Sequence, residues 1–212
     1  MLSVCETFAS IQGESTHAGR RCFFIRLAGC SHRCSYCDTV YAREGGEPLS
    51  VETLVDRAKR AEIPLVEVTG GEPMEQPETP SLCRSLLDAG FEVLLETNGA
   101  HDLGNVPEGV KRIIDCKTPS SGMAERHCFG NFEHLRTGDE IKFVVGSRED
   151  FDYAVKVVLN YGLAKKSCEL LISPVCGRGD LADLAAWVLA SGLPLRMQLQ
   201  MHKIIWGDRR GV

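Results

Sequence analysis

Apolar residues along the chain gather into short runs rich in Val, Ile, Leu and Phe: Cys22–Ala28, Leu65–Thr69, Glu92–Glu96, Arg112–Asp115, Ile141–Val145, Glu169–Ile172 and Leu195–Leu199. Little polar alternation interrupts them, which predicts strands covered on both faces, as in a parallel sheet. Helical patterns lie between several of the runs. Ser50 is placed to cap a helix through about Ala61, and Asp150 one through about Tyr161. Gly90, Gly162 and Gly192 each follow such a pattern and precede an extended run, the position where a left-handed residue ends a helix at little cost. Repeated strand, helix, strand units predict an α/β fold with mostly parallel strands, and a partial (β/α) barrel is preferred over an open sheet. No repeat, low-complexity tract or linker divides the chain, so a single catalytic domain over 1–212 is expected. Pro119–Gly138 is the least regular segment and reads as a mobile loop or irregular excursion.

In such folds ligands sit at the carboxyl ends of the strands. Here those positions are Thr69-Gly70-Gly71-Glu72-Pro73, Glu96-Thr97-Asn98-Gly99, Asp115-Cys116-Lys117, Ser173-Pro174 and Gln198 to His202, all chemically loaded. Composition narrows the partners. A net charge of −5 and 25% charged residues give no long-range attraction to phosphate backbones, so nucleic acid is not expected as a direct substrate. No uncharged stretch reaches the roughly 18–20 apolar residues of a membrane span. Met1 to Ser15 carries Glu6 and Glu14 and lacks the basic cluster and apolar run of a secretory signal. Cytoplasmic placement is expected, and the ten cysteines then read as free thiols in a reducing compartment.

Three of those cysteines are crowded into eight residues: Gly29-Cys30-Ser31-His32-Arg33-Cys34-Ser35-Tyr36-Cys37-Asp38-Thr39 directly follows the first run. The spacing C-x3-C-x2-C lets three thiolates meet one metal centre, and soft sulfur ligands select zinc, copper(I) or iron-sulfur clusters. A structural zinc site usually has four ligands in two pairs, and no second pair follows. Iron-sulfur electron carriers supply four cysteines, whereas three leave one iron open to a substrate or cofactor. A zinc loop, as part of a non-catalytic metal-binding module, is the alternative from a different class.

This spacing, followed by a glycine pair after the next strand, resembles the radical S-adenosylmethionine superfamily. Within it the chain resembles the 7-carboxy-7-deazaguanine synthase family nearly end to end, through Phe8–Glu14, Phe24–Cys37, Cys37-Asp38-Thr39, Val66–Pro73, Leu95–Gly99, Asp115–Ser121 and Gln200–Trp206. The resemblance implies a lyase that contracts the ring of 6-carboxy-5,6,7,8-tetrahydropterin by radical chemistry, releasing ammonia and 7-carboxy-7-deazaguanine on the route to queuosine. It implies a 4Fe-4S cluster on Cys30, Cys34 and Cys37, S-adenosylmethionine at the open iron, Mg2+, a homodimer, and an electron donor such as flavodoxin or ferredoxin. The other member of the superfamily weighed is an activating protein for glycyl-radical enzymes.

The same resemblance implies roles residue by residue. Ile11, Gln12 and Gly13 match the segment that meets the pterin's polar edge, where a glutamine amide can both donate and accept. Arg26, costly in an apolar strand unless paired, suits the substrate carboxylate, with a structural ion pair as the competing reading. Thr39 matches a magnesium ligand, and the backbone from Tyr36 to Asp38 the adenine contact. Thr69 is expected to touch substrate, Gly70 and Gly71 to admit S-adenosylmethionine closely, and Glu72 to receive its ammonium. Glu96, Asp115, Cys116 and Lys117 match cofactor-binding strand ends, with Lys117 a candidate general acid or base. Ser173, Pro174, Val175 and Cys176 match the wall around the adenosine. His202 and the terminal carboxylate of Val212 are candidate substrate contacts.

Overall fold

The computed structural model describes residues 1–212. Nine strands form a single sheet: β1 Leu2–Ile11, β2 Arg21–Leu27, β3 Glu47–Leu49, β4 Leu65–Gly70, β5 Glu92–Thr97, β6 Lys111–Asp115, β7 Asp139–Val145, β8 Cys168–Pro174 and β9 Leu195–Met197. Their spatial order is β3-β1-β2-β4-β5-β6-β7-β8-β9. From β2 to β9 every neighbouring pair is parallel, while β1 runs antiparallel to both β2 and β3. The two edges, β3 and β9, do not meet, so the barrel is partial and open. All seven expected strands are present. The N-terminal strand β1 and the short β3 lie outside the expected set, because β1 reads Leu-Ser-Val-Cys-Glu-Thr-Phe-Ala-Ser-Ile and carries no continuous apolar run.

Helices α1 Val51–Ala61, α2 Thr79–Asp88, α3 Arg148–Asn160, α4 Leu181–Ser191 and α5 Met201–Trp206 complete the fold. Ser50 caps α1 as expected, its hydroxyl accepting from the Thr53 amide at 3.2 Å. The cap of α3 is Ser147, not Asp150. Asp150 is fully buried, and its carboxylate accepts from the amides of Ser120 and Gly146, each at 2.8 Å. Gly90, Gly162 and Gly192 all adopt positive φ. The crossovers from β5 to β6 and from β6 to β7 contain no α-helix, which breaks the expected strand-helix alternation.

The segment 119–138 is irregular, as expected, but it is packed. Short 3-10 turns cover 119–121, 124–126 and 129–134. Phe132 is 1% exposed and meets His127, Phe129 and Tyr161 at ring distances of 5.0–5.7 Å. Arg112 and Asp139, both buried, form an ion pair, and the Arg112 guanidinium also donates to the His134 carbonyl at 2.7 Å. An unpaired charge there would be expensive, so the pair holds the turn against the sheet.

Alternation along the strands divides the sheet's faces. Phe23, Ile25, Val66, Val68, Val93, Leu95, Ile114 and Phe143 face the helices and form the main core. Cys22, Phe24, Leu65, Leu94 and Ile113 form a second, small apolar floor on the concave face, with Phe8 stacked on Phe24 at 5.0 Å. Beyond that floor, toward the carboxyl ends, the inward residues become polar: Arg26, Thr69, Glu96, Asp115 and Lys142.

Candidate active site

A cavity of about 580 Å³ opens on that polar zone. Cys30, Cys34 and Cys37 share its wall, all free and half-buried. Their loop is pinned on two sides. The Glu72 amide donates to the Gly29 carbonyl at 2.7 Å and the Gly71 amide to Leu27 at 2.9 Å, while the Ser35 amide donates to Ser121 at 3.1 Å. Ser31 and Arg43 add bonds to Glu75 and to the Cys34 carbonyl at 2.7 and 3.1 Å. The thiols share a wall; no three His, Cys, Asp or Glu side chains close on one point at the spacing of a single ion. A cube-shaped cluster places each cysteine on its own iron, so three separated soft donors suit that group better than one zinc ion. Burial pushes the Cys30 and Cys34 thiols up, so ligation would release protons.

The glycine pair has a structural reason besides the expected one. A Cβ on Gly70, at φ +143°, would stand 2.2 Å from the Leu27 carbonyl oxygen, and one on Gly71 2.0 Å from that of Gly29. These glycines let the end of β4 press against the backbone that launches the cysteine loop. Both also line the cavity.

Glu72 departs further from expectation. It is fully buried and absent from the cavity wall. Its oxygens accept from Thr97 Oγ1 at 2.7 Å, the Asn98 amide at 2.6 Å and the Met74 amide at 2.9 Å. A carboxylate so engaged braces β5 against β4. Cys116 likewise points into the helix-side core, one residue out of phase with Asp115. Ser173 is fully buried with its hydroxyl unpartnered, and neither it nor Pro174 lines the cavity; Val175 and Cys176 do.

The remaining sequence candidates do surround one space: Ile11, Gln12, Gly13, Arg26, Tyr36, Asp38, Thr39, Thr69, Glu96, Asp115, Lys117, His202 and Val212. Several are already engaged. Gln12 is buried, donates through Nε2 to Glu67 and accepts at Oε1 from the Glu14 amide at 2.7 Å, so its amide braces the loop while one N–H and one lone pair stay free on the cavity wall. Gly13 lies under α5, where a Cβ would meet His202 Nδ1 at 2.4 Å. Arg26 Nε donates to Glu6 at 2.8 Å, which realises the ion-pair reading, yet the guanidinium also lines the cavity. Tyr36 hydroxyl lies 3.3 Å from the Thr118 hydroxyl and from the Val144 carbonyl, and burial lifts it to about 12. Thr39 donates to Asp38 at 2.8 Å. Asp38 is held well below the usual carboxylate range: burial opposes this, but His202, Thr39 and Lys203 outweigh it.

Lys117 is not a base in waiting. Burial alone would lower it, but the Asp115 carboxylate at 2.7 Å pushes it above its ordinary value, so it stays an ammonium. Sequence reasoning missed two residues of equal weight, Glu67 and Lys142. Lys142, 3% exposed, donates to Glu14 at 2.8 Å and to Glu96, with Asp115 at 3.7 Å. Thr69 Oγ1 donates to the other oxygen of Glu96 at 3.0 Å. Glu67, beside these, is pushed well above the carboxylate range by burial and by Glu96. The signal that singled out Arg26, a charge inside an apolar strand, is present at both positions.

The model of the radical SAM superfamily matches residues 24–123, which contain the cysteine loop and the glycine pair. The 7-carboxy-7-deazaguanine synthase of Chlorobaculum tepidum is 44% identical over 100% of this chain and 97% of its own length. That of Koribacter versatilis is 38% identical, covering 97% of each. Among solved structures, QueE from Escherichia coli superposes with a TM-score of 0.73 at 24% identity, covering 93% of both chains, and so shares the fold. With end-to-end identity to those synthases, and with the superfamily's three cysteines gathered on one cavity wall, the chain belongs to the 7-carboxy-7-deazaguanine synthase family of radical S-adenosylmethionine lyases.

Proposed function

We propose that this chain, as one catalytic domain over 1–212, converts 6-carboxy-5,6,7,8-tetrahydropterin to 7-carboxy-7-deazaguanine with loss of ammonia, supplying queuosine biosynthesis in the cytoplasm. The observation that carries the reading is a single cavity with two chemistries: three soft thiols on its wall and a zone of buried, paired charges beside them. The thiols suit a 4Fe-4S cluster with one open iron, and Gly71, Val175 and Cys176 line space beside them for S-adenosylmethionine. When bound, these two groups supply the 5′-deoxyadenosyl radical that abstracts hydrogen from substrate.

The chain's own residues bind and orient. Ile11, Gln12 and Gly13 meet the pterin's polar edge, Gln12 through the N–H and lone pair that Glu67 and Glu14 leave free, Ile11 and Gly13 through their main chain. Arg26, anchored at Nε by Glu6, turns its remaining N–H groups toward the substrate carboxylate, a pairing suited to a guanidinium fork. Lys142 stays charged, pairs with Glu14 and holds Glu96 ionised; Thr69 fixes the rotation of Glu96. Lys117, paired with Asp115, contributes fixed positive charge. His202, Trp206 and Val212 close the mouth and limit water.

The Thr39 hydroxyl, with Asp38 beside it, fits a hard oxygen-seeking ion, and we assign Mg2+ there together with substrate oxygens. A homodimer and reduction by flavodoxin or ferredoxin complete the proposal. No helix is long and apolar enough to cross a membrane. The deciding experiment is anaerobic incubation of the reconstituted protein with the pterin, S-adenosylmethionine, magnesium and a reductant, read by mass. A deazapurine carboxylate is expected. Cofactor cleavage that never yields it would refute the substrate assignment.

A further inference from the structure

His32 lies between the first two cluster cysteines and has no role in the account above. It is 3% exposed, lines the cavity, and neither ring nitrogen has a hydrogen-bond partner. Whichever tautomer it adopts, the imidazole carries at least one N–H. A buried donor left unpaired keeps its full desolvation penalty, so such a group is normally answered by an acceptor. The surrounding chain has little to offer. Lys117 and Arg126 are near but can only donate, and Glu75 already accepts from the Ser31 amide. The loop is also held firmly, because the Arg33 guanidinium donates to the carbonyls of both Cys30 and His32.

What the cavity is built to receive at this spot is rich in acceptors, since thiolate and sulfide sulfurs carry negative charge. We propose that His32 donates its N–H to a sulfur of the cluster held by Cys30, Cys34 and Cys37, and thereby raises the cluster's reduction potential. A donor aimed at sulfur stabilises the more negative, reduced state over the oxidised one. The inference rests on the cluster assignment and adds to it a residue that acts through the cluster, positioning charge without touching substrate.

The test is an anaerobic redox titration of the reconstituted full-length protein, followed by the electron paramagnetic resonance of the reduced cluster, without pterin. H32L and H32F should shift reduction unfavourably by the order of tenfold, about 59 mV for one electron, at unchanged iron and sulfide content. H32Q, which keeps an N–H, should recover part of the shift. Parent and apolar variants titrating together overturns the inference. Independently of any variant, the reduced parent protein grown with nitrogen-15 histidine should show a weakly coupled imidazole nitrogen; its absence overturns the inference too. Failure to convert the pterin leaves both readouts in place and refutes only the substrate assignment, whereas a parent protein that assembles no cluster overturns both.

Discussion

Replacing Gly71 by Ala should remove the cluster while leaving most of the fold. The added Cβ would stand 2.0 Å from the Gly29 carbonyl oxygen, 2.6 Å from its carbon and 3.0 Å from the Cys30 Cβ. Two of these neighbours are backbone, so no side-chain rotation relieves the clash, and the two segments must part by about 1.4 Å or more to reach ordinary contact. The movement pulls on the bonds from the Gly71 amide to Leu27 and from the Glu72 amide to Gly29. Overpacking costs about 1–3 kcal/mol, and each weakened bond up to about 1 kcal/mol more. For a chain of this size, 2–3 kcal/mol lowers Tm by roughly 4–12 °C. Gly90 provides the control: its φ of +89° strains an alanine, but nothing lies within 4 Å of the new Cβ. G90A should therefore lose a similar few degrees and keep its iron. Differential scanning calorimetry with iron and sulfide analysis separates the two. A G71A protein that binds a full cluster and S-adenosylmethionine with parental affinity would refute the argument that these glycines hold the cysteine loop in place.

C34A, and equally C30A or C37A, should abolish cluster content and cofactor cleavage with near-parental circular dichroism; retained cleavage would remove the ligand assignment. K142M leaves Glu14, Glu96 and Asp115 facing one another without their shared cation, and breaking a buried pair of this kind costs about 3–5 kcal/mol in urea unfolding. E67Q tests the raised carboxyl of Glu67. Because the folded chain holds this proton above the unfolded pKa of about 4.3, the stability from Glu67 is complete below that pH and drains away as pH climbs toward the folded value. E67Q should therefore gain on the parent as pH rises from about 4 to 7, by about 1.4 kcal/mol for each pH unit climbed until the folded carboxyl itself ionises, and parallel pH profiles would sink the assignment.

Pairing explains how a site this charged survives inside an apolar sheet. Each charge is answered: Arg26 by Glu6, Lys117 by Asp115, and Lys142 by Glu14 and Glu96. The small cluster of Cys22, Phe24, Leu65, Leu94 and Ile113 seals the concave face at its amino end, so the site is open only at the carboxyl end of the strands. This arrangement fixes side chains from five strands toward one ligand, and burial strengthens the pairing.

Much was legible in the linear chain because it depended on local chemistry. Apolar runs marked seven strands, since two-sided burial leaves no room for polar residues. Ser50 and the three glycines marked helix ends through backbone geometry alone. The cysteine spacing and the glycine pair announced the cluster loop before any fold was known. What only the tertiary structure decided was direction and competition. Cys116 and Asp115 are adjacent in sequence, yet the pleat sends one into the core and the other into the cavity. Glu72 and Gln12 looked wholly free for a ligand, but neighbours brought in from Thr97, Asn98 and Glu67 each hold part of their hydrogen-bonding capacity and fix their orientation. Lys117 reads as a general acid or base, and only Asp115, 2.7 Å away, decides that it rests as an ammonium. A side chain's chemistry is written in its residue type, whereas its charge state, its facing and its spare hydrogen bonds belong to the neighbours that folding supplies.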